Sequence, residues 1–174
     1  MKYFKKIEGE RIYLSPMNPS DVEVYTNWLN NPKITKYLSI HNSLVSLTSE
    51  QEYLDNFCKK EFNLAIIKKD NDTLIGNIGL DDIDYKNGTA ELGIFIGDEE
   101  NLGCGYGSEA IKLLTSYAFA NLRLHTIILR TSDFNERAQK SYEKCGFKEF
   151  GRRHEAIFIN GQYHDLIYME LINK

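Results

Sequence analysis

The stretch that most constrains this chain is Leu102-Gly103-Cys104-Gly105-Tyr106-Gly107-Ser108, because the hydrophobic period changes across it. Before it, residues 62–68, 74–83 and 90–96 are β-prone runs punctuated by Asp70-Asn71-Asp72 and Asn87-Gly88, a pattern that predicts three antiparallel strands in a meander. After it, Ala110, Leu113, Leu114, Tyr117, Ala118 and Asn121 recur at helical spacing and form a mostly apolar stripe. The chain therefore passes from a strand, through three alternate glycines, into a helix. Glycines let backbone amides crowd around an anion without Cβ interference, and a helix start adds unpaired N–H groups and the positive end of a dipole. The chemical reading is a pyrophosphate cradle; the alternative is a tight turn with no ligand. No Lys-Ser/Thr pair follows the glycines, and the preceding strand belongs to a meander rather than a βαβ unit. Nucleotide-hydrolysing and dinucleotide-binding folds both fit less well.

The rest of the chain completes an α/β pattern. Residues 11–15 alternate as a strand, and Asn18-Pro19 reads as a helix start, with Asn18 as cap. That helix would present Val22, Tyr25, Trp28 and Leu29 on one face and end at Asn30-Asn31-Pro32. A second helix is predicted from Ser49, with Ser49 and Glu52 at capping-box spacing, through Tyr53, Leu54 and Phe57. Downstream, residues 126–130 read as a strand and 136–145 as a short helix closed by Gly146. Two strand-like runs, 155–159 and 166–171, flank Asn160-Gly161, a strong type I′ hairpin signal. The predicted fold is a mixed, largely antiparallel sheet covered by helices.

Composition narrows the function classes. With 174 residues, no linker and no internal repeat, one domain spanning 1–174 is expected. A formal charge of −4 argues against broad nucleic-acid binding, which needs a clustered basic face, and Lys2, Lys5 and Lys6 read as a solvated terminus. Cys58, Cys104 and Cys145 form no CxxC pair, which suits a reducing cytoplasm. There is no apolar run of membrane-spanning length, so no membrane association is expected. His41, His125, His154 and His164 lack metal-ligand spacing, and no metal is expected; His164-Asp165 could touch a substrate.

Two motifs carry a family resemblance. Gly105 and Gly107 match the Q/R-x-x-G-x-G/A signature of the GNAT N-acetyltransferase superfamily, with Leu102 in place of the Gln/Arg. Asn135-Glu136-Arg137-Ala138-Gln139-Lys140-Ser141-Tyr142-Glu143-Lys144-Cys145-Gly146-Phe147 resembles its N-x-x-A-x-x-x-Y-x-K-x-G-F segment. Residues 10–14, Trp28-Leu29-Asn30-Asn31-Pro32 and Asn160-Gly161-Gln162-Tyr163-His164-Asp165 look most like the branch that holds ribosomal-protein N-terminal and spermidine acetyltransferases.

The resemblance implies helices on both faces of the sheet and acetyl-CoA wedged between two splayed central strands. Its pantetheine arm would pair with Ile94-Phe95-Ile96, and its phosphates would lie on Leu102, Gly103, Cys104, Gly105, Tyr106, Gly107 and Ser108. Asn135 and Lys144 are the further cofactor contacts that it implies. The acceptor would be a small-molecule amine or a protein N-terminus, and Trp28, Tyr37 and Tyr163 are either apolar walls for it or ordinary core residues. A non-catalytic acyl-CoA-binding domain is the competing class, and the tail hairpin is a candidate homodimer edge.

Acyl transfer from a thioester to an amine needs a deprotonated amine, a polarised carbonyl and a protonated leaving thiolate. Tyr142 lies about two turns after Asn135, on nearly the same helix face, and a phenol can donate to the sulfur. Glu91 is either a base that takes the amine's proton through water or an ion-paired strand glutamate. A backbone N–H of residues 94–96 would polarise the carbonyl.

Overall fold

A computed structural model describes residues 2–38 and 42–174. Its eight strands join in the hydrogen-bonded order β1-β2-β3-β4-β5-β6-β8-β7 and accompany five helices, a mostly antiparallel α/β arrangement. Contacts divide the chain into two compact units, Met1–Gly79 with Ile94–Leu113, and Leu80–Gly93 with Leu114–Lys174. Strands β4 (Leu74–Asp84) and β5 (Thr89–Ile96) and helix α4 (Tyr106–Asn121) each run from one unit into the other.

In the first unit, β1 (Ile7–Glu8), β2 (Ile12–Pro16), β3 (Asn63–Lys68) and β4 pair antiparallel in sequence order. Their buried side chains meet Tyr25 from α1 (Val22–Leu29) and Leu54 from α3 (Leu47–Phe57) in a core built on Tyr13, Ala65, Ile67 and Leu74. Asn18 caps as expected, although the turn that it opens is a 3-10 turn (Pro19–Asp21) leading into α1. Asn30 ends α1, and Asn31 caps a short α2 (Pro32–Thr35), because its side chain accepts from the Lys33 amide. The α3 start differs from the sequence reading. Ser46 is the cap, its hydroxyl accepting from the Ser49 amide, and the Ser49 side chain returns to the Ser46 backbone. Ser46 prevails because the reciprocal bond closes with a hydroxyl as well as with a carboxylate.

Glu50, in the first turn of α3, is only 4% exposed. Burial pushes its carboxyl up from 4.5 to about 7. The folded state holds this proton more tightly than the unfolded chain does. The contribution of Glu50 to stability is therefore greatest below about 4.5 and is lost as pH rises through about 7. Glu50→Gln should raise the melting temperature by a few degrees in mildly alkaline buffer and leave it nearly unchanged in mild acid. A difference between variant and parent that does not change with pH would contradict this account.

In the second unit, the start of β5 pairs in parallel with β6 (Thr126–Ser132), and β6 pairs antiparallel with β8 (Gln162–Ile172). Strand β7 (Lys148–Ile159) lies beyond β8. Ile127, Leu129, Ile167 and Met169 are buried, and Phe147 is buried just after α5 (Glu136–Lys144). Asn160 and Gly161 take φ of 51° and 82°, so both central residues of the hairpin are left-handed, as a type I′ turn requires. Gly146, at φ 94°, ends α5. The two tail strands are longer than the sequence predicts because the first half of β7 is largely solvent-exposed and carries no alternation to read. A register shift between Arg153 and Ile157 further breaks its period.

Candidate active site

The glycine loop sits where the sequence places it. A short 3-10 turn (Glu99–Asn101) precedes Leu102, and α4 begins at Tyr106. Gly103 and Gly105 are exposed with φ of 76° and 86°, conformations that side chains with a Cβ rarely adopt. Glu109 N–H donates to Gly105 O at 3.0 Å and is the first step of the helical ladder. A helix start in general leaves its first amides outside the i→i−4 ladder. A Cβ on Gly103 would meet nothing within 4 Å, so the loop is open to a ligand. A Cβ on Gly107 would lie 3.7 Å from Ile94 Cδ1 and 3.8 Å from Ile96 Cγ1. The first turn of α4 thus rests directly on the strand segment expected to hold the pantetheine arm.

Arg11, which the sequence reading did not single out, also meets this loop. Arg11 donates from Nη1 to the carbonyl of Cys104 at 3.0 Å and from Nε to Glu109 at 2.9 Å. Its guanidinium lies over the Tyr106 ring, 4.8 Å from the centroid, with Lys68 over the same ring at 5.9 Å. Two cations therefore flank a loop whose own side chains are uncharged. Burial pushes the Glu109 carboxyl up, but bonds from the amides of Arg11 and Ile12 and from the Arg11 side chain outweigh it and hold the group below its ordinary range. Glu109 thereby stays anionic and fixes Arg11 at the loop. No local pattern announces a partnership across 98 residues.

The parallel pairing of β5 is short. The β5–β6 ladder pairs Thr89–Glu91 with Thr126–Ile128 and goes no further, although β6 continues to Ser132. That ladder has no further rung among the described residues. Gly93 is exposed, and a Cβ there would meet nothing within 4 Å. The carboxyl ends of parallel strands are a common place for a ligand to enter a sheet. Glu91 stands at the last paired step, and its Oε1 accepts from Arg130 Nε at 2.5 Å. It occupies the ion-paired state, one of the two readings that the sequence left open.

Helix α5 carries the downstream motif. The Asn135 side chain accepts from the Ala138 amide at 3.3 Å, so its Oδ1 is used in capping. Lys144 is exposed in the last turn. Tyr142 is half-buried, its ring 6.2 Å from that of Phe147, and its hydroxyl has no partner among the described residues. Burial, with a smaller effect of Cys145 and against Arg137, pushes the phenol up to about 12. It therefore stays protonated across the working pH range, as a proton donor must.

The expected acceptor walls fare differently. Trp28 stands edge-on between Tyr25 and Phe95 and packs so closely on Gly97 that a Cβ there would fall 2.0 Å from its indole. Tyr37 is partly buried beneath the Lys36 ammonium. Tyr163 is 64% exposed and packs on Phe158 in the tail hairpin. His164 is paired with Asp133, while Asp165 is paired with His154. His41 lies outside the described residues. Among those residues no cluster of His, Cys, Asp and Glu could hold a metal, and no helix is long and apolar enough to cross a membrane.

This geometry agrees with the comparison to known proteins. Residues 11–148 match the profile of the acetyltransferase (GNAT) domain. The chain belongs to the GNAT acetyltransferase family. Spermidine N(1)-acetyltransferase of Vibrio cholerae is 36% identical over 168 residues, covering 95% of each chain. The Bacillus subtilis protein YdaF, provisionally named a ribosomal N-acetyltransferase, is 33% identical over 102 residues, 59% of this chain and 55% of its own. The crystal structure of the Vibrio cholerae spermidine acetyltransferase with CoA and spermine superposes with a TM-score of 0.82 at 28% identity, covering 94% of this chain and 96% of that one. As a GNAT member the chain is an acetyl-CoA-dependent N-acetyltransferase.

Proposed function

We propose that this enzyme moves the acetyl group of acetyl-CoA directly to a primary amine, and that the whole chain works as one catalytic domain. The observation that carries the reading is the seating of Gly107 on Ile94 and Ile96. It supports one path for an extended CoA arm, from the start of α4 to the strand segment 94–96. In this reading the amides of Gly103, Gly105 and Gly107 take the pyrophosphate, helped by Arg11, and a backbone N–H of residues 94–96 polarises the acetyl carbonyl. Asn135 and Lys144 are the further cofactor contacts. Tyr142 gives its hydroxyl proton to the departing sulfur as the C–S bond breaks. Its unpartnered hydroxyl favours turnover over a domain that only binds acyl-CoA.

The acceptor that we favour is a polyamine such as spermidine, supported by the Vibrio cholerae relative that aligns over 95% of both chains. The shorter match to YdaF is the reason to keep a protein N-terminus in the test. Trp28 and Tyr37 would form apolar walls for the acceptor's methylene chain, and Tyr163 a rim contact. Rates of CoA release with spermidine and with a peptide bearing a free N-terminal amine, measured at equal concentration, separate the two. A kcat/KM for spermidine at least ten times that of the peptide is the expected result, and the reverse ratio would move the assignment to protein N-termini.

A further inference from the structure

The Arg11 guanidinium meets the glycine loop at one atom of its main chain, the carbonyl oxygen of Cys104, to which Nη1 donates at 3.0 Å. We infer that Arg11 and Glu109 form a latch that turns the Cys104–Gly105 peptide so that its N–H faces the donor's phosphates, with Glu109 as the positioning residue. This rests on the acetyl-CoA reading above.

In a planar trans peptide the carbonyl and the N–H that follows it point in opposite directions. With the Cys104 carbonyl held by Arg11, the Gly105 N–H is turned away from the guanidinium, toward the other side of the loop. Among the described residues no acceptor meets that amide. Glycine adopts either sign of φ readily, so Gly103 and Gly105 do not by themselves fix the peptide between them. The bond from Arg11 supplies the missing restraint. A Cβ on Gly105 would stand 3.2 Å from Arg11 Nη2, so glycine at this position also lets the guanidinium come close.

Arg11 is fixed in turn. Its Nε donates to Glu109 Oε2 at 2.9 Å, while Oε1 accepts from the amides of Arg11 and Ile12 at 2.8 and 3.3 Å. One carboxylate in the first turn of α4 thereby holds both the side chain and the main chain of the same arginine. The Tyr106 ring lies against the guanidinium and narrows its freedom further. Gly9 makes room for the arrangement. A Cβ there would fall 2.6 Å from Glu109 Oε1 and 2.8 Å from Leu113 Cδ1, so a side chain at that turn would push the carboxylate away. All of these residues belong to the first compact unit.

Charge and geometry predict opposite signs here. Glu109 places a negative charge beside a loop that is to receive phosphates. On charge alone, Glu109→Gln should tighten donor binding, and Arg11→Lys should preserve it. A latch fails in both variants. Glutamine has one acceptor oxygen, and the amide nitrogen in place of the other cannot accept from Arg11 Nε. Lysine keeps the charge but lacks the rigid fork that bonds Glu109 and the Cys104 carbonyl together.

The test titrates acetyl-CoA into the full-length parent, Glu109→Gln and Arg11→Lys by calorimetry, and follows thiol release with spermidine. Each variant should raise the acetyl-CoA Kd about 10-fold, as expected of a loop that holds its binding orientation about a tenth of the time. KM for acetyl-CoA should rise by a larger factor than kcat falls. The Arg11 side chain is 46% exposed, so Arg11→Lys carries the test independently of how well Glu109→Gln folds. Tighter or unchanged binding in Glu109→Gln, or parent-like binding in Arg11→Lys, would overturn the latch while leaving acetyl transfer standing. A loss confined to melting temperature would do the same, because it marks a pair that only supports the fold. A parent protein that binds no acetyl-CoA would instead overturn the donor reading and, with it, the latch.

Discussion

Replacing Tyr142 with Phe should lower turnover by about 100-fold or more at saturating substrates, the usual scale for a general acid. The ring and most of its buried area remain, so packing against Phe147 is retained and the melting temperature should barely move. Acetyl-CoA affinity should also hold. The hydroxyl is well placed for this test because no described residue bonds it, so its removal strands no partner. Single-turnover thiol release distinguishes the outcomes. Intact turnover with weakened acetyl-CoA binding would make Tyr142 a cofactor-packing residue. Lost stability with intact chemistry would make it a core residue.

The second large effect is expected at Gly105. Valine there must adopt φ near 86°, a region that costs a β-branched residue about 1–3 kcal/mol, and its Cβ would come within 3.2 Å of the Arg11 guanidinium. Either the loop straightens or Arg11 moves, and both disrupt the cradle. Gly105→Val should remove the rise in melting temperature that acetyl-CoA gives the parent, an effect that follows from selective binding to the folded state. The apo protein should lose only several degrees, because the strain is local. Gly107→Ala is the companion variant: its Cβ meets Ile94 and Ile96 at ordinary contact distance, so it should fold like the parent. An undiminished acetyl-CoA shift in Gly105→Val would place the phosphate site elsewhere.

Much of this was legible before any coordinates because it rests on local chemistry. The type I′ turn at Asn160-Gly161, the end of α5 at Gly146 and the glycine loop all reflect positive φ, which few residues tolerate. The cap at Asn18 follows from a short polar side chain reaching back to a nearby amide. What stayed hidden involved either competing signals or distance. Ser46 and Ser49 both stand three residues before a competent partner, and only the reciprocal bond decides between them. The first half of β7 faces water and shows no period. Three pairs, Arg11 with Glu109, Arg130 with Glu91 and His164 with Asp133, join residues far apart in the chain. Charge alone did not reveal which acid meets which base.

These pairs also change how the site is read. From its strand position Glu91 could be a base, but its carboxylate is held by a guanidinium at the step where the parallel ladder ends. In that place it pins β5 to β6 at the last rung. Leu102 lacks the polar group that the motif usually offers the phosphates, and Arg11 supplies a cation at the same loop from β2's approach.

The central claim is that the chain transfers acetyl from acetyl-CoA to an amine, and one measurement tests it most directly. Thiol release from acetyl-CoA would be followed with the purified protein, with and without spermidine or a free-amine peptide, alongside mass analysis of the acceptor. The account predicts release that depends on acceptor, matched mole for mole by acetylated amine, and nearly abolished in Tyr142→Phe. Binding of acetyl-CoA with no acceptor-dependent release, and no acetylated product from either amine, would contradict it.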